Sequence, residues 1–134
     1  MNFNNQLIIA VDFDGTIVED AYPKIGKPMM FAFDTLKKLQ AEGHRLILWT
    51  YRCSDKLDEA VKFCEENGIF FYAVNSSFPE EEFSEAVSRK IHADLFIDDR
   101  NMGGFYGWGE IYHTLIDPEF SLEKKKKGFF DFFK

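Results

Sequence analysis

The sequence predicts one α/β domain with a central parallel sheet. Three observations point there. Four short apolar runs occur along the chain, and they read as continuous stretches of the kind found in strands buried on both faces. Between the first three lie segments whose apolar residues recur every three or four positions. Glycines close those segments at the right places for helix ends.

The first run, Leu7-Ile8-Ile9-Ala10-Val11, ends in Asp12-Phe13-Asp14-Gly15-Thr16. Residues 17–27 carry Pro23 and Gly26 and read as a short excursion, a hairpin-like flap over the strand end. Pro28 suits a first helical turn; Met29, Ala32, Phe33, Leu36 and Leu39 form the apolar face of the helix, and Gly43 stops it. A second strand, Leu46-Ile47-Leu48-Trp49, runs into Thr50, with Tyr51 and Arg52 in the loop beyond. Ser54 is positioned to cap the next helix, whose face is Leu57, Ala60, Val61 and Cys64 and which Gly68 closes.

Residues 69–74 read as the third strand. Pro79 then opens an acidic helical segment through Glu80-Glu81-Glu82 to about Val87, its acids matched to the positive end of the helix dipole. Asp94-Leu95-Phe96-Ile97 makes a fourth strand, ending in Asp98-Asp99-Arg100-Asn101. The aromatic, glycine-rich stretch 103–109 reads as a loop whose rings pack back on the sheet, and residues 110–116 form a last short element. Alternating strands and helices imply right-handed crossovers and helices over a parallel sheet.

Composition limits the function classes. A chain of 134 residues, 46% hydrophobic, suits one packed core but not a second lobe. No apolar run approaches the roughly 20 residues of a membrane span, and the first run meets Asp12 too early for a signal peptide, so a cytoplasmic location is expected. Cys53 and Cys64 are too few for a disulfide framework, and Cys64 reads as core filler. His44, His92 and His113 share no metal-ligand spacing. The net charge is −7, but residues 124–134 hold five lysines against one aspartate, a balance of +4 that leaves −11 on the rest. Such a body repels nucleic acid, so a phosphorylated substrate must be drawn in by a metal ion or a few placed cations.

Two carboxylates one residue apart at the end of a buried strand repel each other and cost desolvation, unless a cation or a task compensates. Asp-Gly is also ordinary turn chemistry, but a turn does not explain the buried run leading into Asp12. In a parallel sheet, Asp12/Asp14, Thr50 and Asp98/Asp99 arrive at one edge, the edge where open α/β sheets hold ligands. Lys90 lies in the segment leading to the last pair.

With Asp12-Phe13-Asp14-Gly15-Thr16, Thr50, Lys90 and Asp98-Asp99 in this order, the chain resembles the haloacid-dehalogenase-like hydrolase superfamily over residues 7–108. The strings around Thr50 and Asp98 look further like a small capless branch of its phosphohydrolases from bacteria and phages. The resemblance implies a Rossmann-like three-layer catalytic domain, residues 1–120, with no separate cap, followed by a Lys/Phe-rich tail at 121–134. It implies Asp12 as nucleophile and Asp14 as general acid and base. The implied Mg²⁺ ligands are Asp12, the Asp14 main-chain carbonyl, Asp98 and Asp99, the last directly or through water. Thr50, Lys90 and, as a second clamp, Tyr51-Arg52 would hold the phosphoryl group.

The groups themselves support that chemistry. A carboxylate that attacks phosphorus splits one hard displacement into two easier ones. A second aspartate that can protonate a leaving oxygen favours phosphoryl transfer over dehalogenation, since halide needs no proton. The expected substrate is a small phosphorylated metabolite or nucleotide, with an oligomer that helps close the site. The alternatives are a phosphatase for nucleic-acid ends or phosphoproteins, and a non-catalytic metal- or phosphate-binding module. For the tail, a mobile or self-docking segment ranks ahead of contact with an anionic membrane surface.

Overall fold

The computed structural model describes residues 6–117. Along them run β1 (Ile8–Val11), α1 (Ala32–Ala41), β2 (Arg45–Leu48), α2 (Ser54–Glu66), β3 (Ala73–Val74), β4 (Leu95–Ile97) and α3 (Trp108–Leu115). The strands form one parallel sheet in the order β3-β2-β1-β4. This is a single α/β domain. Among the described residues no helix is long and apolar enough to cross a membrane.

The register positions the functional edge. Val11 stands opposite both Leu48 and Ile97, so β1, β2 and β4 finish level. Asp12 continues the ladder by donating its N–H to the Ile97 carbonyl at 3.0 Å, and Trp49 donates to that of Val11 at 2.9 Å. Between β1 and β4 the connections diverge, because the chain leaves β1 toward β2 and returns to β4 from β3. That is the topological switch point, where open α/β sheets leave a crevice.

Side chains alternate along each strand and sort the core into two clusters. Ile9, Val11, Leu46, Leu48 and Ile97 pack with Leu36 and Leu39 of α1, Ala60 and Cys64 of α2, and Trp108 and Ile111 of α3. Ala10, Ile47 and Ala73 on the other face meet Ile91 in a smaller cluster. Among the described residues helices therefore cover one face only, and the irregular crossover 75–94 stands where the sequence predicts a third layer.

The acidic helix expected from Pro79 to about Val87 is absent, and turns occupy the segment. Like charges crowd Glu80-Glu81-Glu82, and Glu80 takes a left-handed φ of 65°. Short-range bonds compete with a helical ladder: Ala86 N–H donates to Ser84 Oγ, Lys90 N–H to Ser88 Oγ, and Ser77 N–H to Glu81 Oε1. Phe83 is exposed, so no apolar face is buried that would stabilise a helix.

Smaller differences concern element ends. Helix α1 begins at Ala32 rather than near Pro28, and the third strand shortens to two residues, extended by bonds from Tyr72 and Asn75 N–H to the Leu46 and Leu48 carbonyls. Ser54 is the first residue of α2, and Cys53 holds the capping position with no side-chain bond. The expected flap is present: Glu19 N–H donates to the Lys27 carbonyl, and Val18 bridges Pro28. Expectations for the tail at 121–134 fall outside the described residues.

Candidate functional site

The site begins with the loop that follows β1. Phe13 turns inward, fully buried with its ring edge-on to Phe63, so Asp12 and Asp14 on either side turn outward. The Phe13 carbonyl accepts from the N–H groups of Thr16, Ile17 and Val18, and Gly15 N–H closes onto Val18. Gly15 sits at φ +84°, and a Cβ there would stand 2.3 Å from Asp99 Oδ2. Only glycine admits both the turn and the carboxylate beside it.

One carboxylate oxygen from each of Asp12, Asp98 and Asp99 lies within 4.8 Å of the others. Thr16 Oγ1, fully buried, is 3.0 Å from Asp12 Oδ2 and 3.2 Å from Asp99 Oδ1. A hydroxyl has one proton, so it donates to one carboxylate and accepts from the other only when that carboxyl is protonated. Burial raises the Asp12 pKa from 3.8 to about 7, with the charge of Asp98 and the contact with Asp99 adding to it and the Thr16 and Phe13 hydrogen bonds opposing it. Three converging oxygen donors, one of them costly to ionise without a counter-charge, fit a hard divalent cation such as Mg²⁺.

Beside this triad opens a cleft of about 780 Å³ lined by Asp12, Asp14, Asp20, Tyr22, Trp49, Thr50, Tyr51, Arg52, Asp98 and Arg100. Thr50 is fixed by its N–H to Asn75 Oδ1 at 2.8 Å. Its hydroxyl accepts from Arg52 N–H at 3.1 Å, which leaves the hydroxyl proton to be donated elsewhere.

Arg52, expected as a second phosphate clamp, lines the cleft but spends its donors within the chain. Its Nε and Nη2 donate to the two oxygens of Asp14, each at 2.7 Å. Nη2 also donates to the Lys24 carbonyl, and Nη1 to those of Pro23 and Lys56. All five N–H bonds of a guanidinium are thereby engaged. The group lies between the rings of Phe13 and Tyr22, 5.1 Å from each centroid, and the residue is 1% exposed. Its pKa is raised still further above the usual arginine value, chiefly by the bond to Asp14. Arg52 ties the flap to the motif.

Lys90 is not brought to the cleft. It is exposed on the crossover, its Nζ 6.0 Å from the Phe96 ring, in a second hollow with Ser77, Glu81 and Ile91. Its expected place came from the resemblance and from the order of the motifs along the chain, and the irregular crossover carries it to this hollow instead. Among the described residues, the cations that line the cleft are Arg52 and Arg100, and Arg100 is exposed.

Sequence reasoning missed four contributors. Arg100 directly follows the Asp98-Asp99 pair, and Asn75 ends a strand just as Thr50 does, so strand-end position was a usable signal for both. Tyr22 enters the cleft from the flap, and Trp108 of α3, buried in the core, supports the turn at Thr16. The Trp108 indole N–H donates to the Thr16 carbonyl at 2.7 Å across 92 residues of sequence. No periodicity could show those two.

No protein-family model and no curated protein matches the chain. A solved structure of a conserved protein coded by a locus of Bacteroides thetaiotaomicron is 52% identical, spans 97% of this chain and 99% of its own, and superposes with a TM-score of 0.78. The chain belongs to the family of that protein. The likeness covers the sheet, the flap and the cleft together.

Proposed function

We propose that the protein is a Mg²⁺-dependent phosphohydrolase of haloacid-dehalogenase type, and one observation carries this reading. Carboxylates from the ends of two adjacent parallel strands converge at the switch point of the sheet, with Asp12 among them and open to a cleft. Asp12, Asp98 and Asp99 would hold the ion, with the Asp14 main-chain carbonyl added by resemblance. A bound Mg²⁺ offsets anion–anion repulsion of roughly 4 kcal/mol per charge pair at 4 Å and an effective dielectric near 20.

In this reading Asp12 attacks phosphorus as the ester P–O bond breaks, giving an aspartyl phosphate and the freed alcohol. Water then attacks phosphorus, the bond to Asp12 breaks, and inorganic phosphate leaves. Thr50 donates its hydroxyl proton to a phosphoryl oxygen, and Arg100 supplies the positive charge expected of Lys90. Asp14 receives the proton of the attacking water. Arg52 takes one lone pair on each Asp14 oxygen and leaves the others, an arrangement suited to a base. Asp14 then passes that proton, from a lone pair that Arg52 leaves open, to the leaving oxygen of the next ester, which departs as the alcohol.

That hold on Asp14 is also the observation favouring the second reading, a non-catalytic module that binds metal and phosphate. One assay separates them. Purified protein with Mg²⁺ is expected to hydrolyse p-nitrophenyl phosphate, with turnover abolished by EDTA and by Asp12→Asn. Failure to turn over any phosphoester in a broad panel rejects the enzyme and favours the binder.

A further inference from the structure

We propose that the substrate is a nucleoside monophosphate, its base stacked on Tyr51; this rests on the phosphohydrolase reading for the fate of the phosphate. Away from the acids, three aromatic side chains, Tyr22, Trp49 and Tyr51, line the cleft. Tyr51 is 98% exposed although the backbone on both sides of it is pinned, Thr50 by Asn75 and Arg52 by Thr50. A rigid loop thus holds a large ring out in solvent where nothing of this chain covers it among the described residues. Tyr22 has one face on the Arg52 guanidinium and is still 54% exposed, so the flap presents a second ring whose position is set in advance.

Rings placed this way recognise a flat π-system, and stacking tolerates any base. Asp20, also in the cleft, accepts the Tyr22 N–H at 3.3 Å and keeps acceptor capacity. A carboxylate there repels phosphate, but it accepts from hydroxyl or amino groups, which a nucleoside offers and a simple aryl group lacks. The acidic body selects a single nucleotide over a polynucleotide end.

The test compares nucleoside 5′-monophosphates with glucose 6-phosphate and glycerol phosphate on the full chain with Mg²⁺, in wild type, Tyr51→Ala and Tyr51→Phe. The expected result is a preference for nucleotides of at least about tenfold in kcat/KM. Tyr51→Ala should raise the nucleotide KM about tenfold or more and narrow the preference for nucleotides over glycerol phosphate by a similar factor, while Tyr51→Phe should retain both. Equal use of sugar phosphates, or a nucleotide KM indifferent to Tyr51→Ala, overturns the proposal and leaves the phosphohydrolase standing. If no ester is hydrolysed, calorimetry of AMP with the wild-type protein and Mg²⁺ decides. Binding that Tyr51→Ala abolishes upholds the nucleotide site, and no binding rejects it.

Discussion

Arg52 and Asp14, 38 residues apart, meet fork to fork, with both carboxylate oxygens accepting from one guanidinium at 2.7 Å. The pair joins three pieces of chain, since the same guanidinium also donates to the carbonyls of Pro23 and Lys24 in the flap. Breaking it leaves a buried charge without its partner. Arg52→Ala is expected to lower stability by about 3–5 kcal/mol. Arg52→Lys should recover less than half of that, because a point charge cannot reproduce the fork. Urea denaturation measures both, and equal midpoints for Arg52→Lys and wild type would contradict the assignment.

Asp14 yields a kinetic prediction. If its protons matter for the leaving group, Asp14→Asn should lower kcat on alkyl phosphates by about 10²–10⁴-fold and on p-nitrophenyl phosphate by much less, since that leaving group departs without protonation. An equal loss on both classes points instead to a base that serves only the water step.

Stability should depend on pH in the metal-free protein. Burial raises the Asp12 pKa in the folded protein to about 7 from its ordinary 3.8, so between those values the native state binds more protons than the unfolded one. The contribution is fully present below about 4 and is lost as pH rises through about 7. The Tm of EDTA-treated protein should therefore fall from pH 5 to pH 8. Mg²⁺ should raise Tm more at pH 8 than at pH 5, and Asp12→Asn should flatten both trends. Differential scanning calorimetry with and without Mg²⁺ tests this, and an Mg²⁺ effect that is larger at pH 5 would refute it.

Gly15→Ala should move Asp99. The new Cβ would lie 2.3 Å from Asp99 Oδ2 at a φ of +84°, so the carboxylate or the turn must shift. Left-handed strain alone costs about 1–3 kcal/mol. Mn²⁺ affinity, followed by paramagnetic resonance as a probe of the same site, should fall about 10-fold or more. Unchanged affinity would remove Asp99 from the metal group.

Much of this site could be read in the sequence because apolar strands announce themselves, even β4, whose Leu95 and Phe96 are exposed. The run into Asp12 and the run into Asp98 are continuous and apolar, each ending in charge, and a parallel sheet brings such endings to one edge. Lys90 was misplaced because resemblance and chain order assigned it, and neither shows where the irregular crossover carries a side chain. Arg52 was misread as a phosphate clamp because nothing local shows that the flap folds back to supply carbonyls. Its partners lie 28 to 38 residues away except for Lys56, and distance of that kind leaves no trace in spacing. Dipole matching and helix caps are nearest-neighbour signals, and they failed where tertiary contacts decided.

The bond from the Trp108 indole to the Thr16 carbonyl carries a consequence for how the protein is made. The loop bearing Asp12 is synthesised early, yet its support from α3 and its Asp98 and Asp99 partners emerge more than 80 residues later. A ribosome must deliver nearly all of the described chain before the acidic centre can assemble. Until then a nascent protein lacks the set of carboxylates on which the proposed metal site and its chemistry depend.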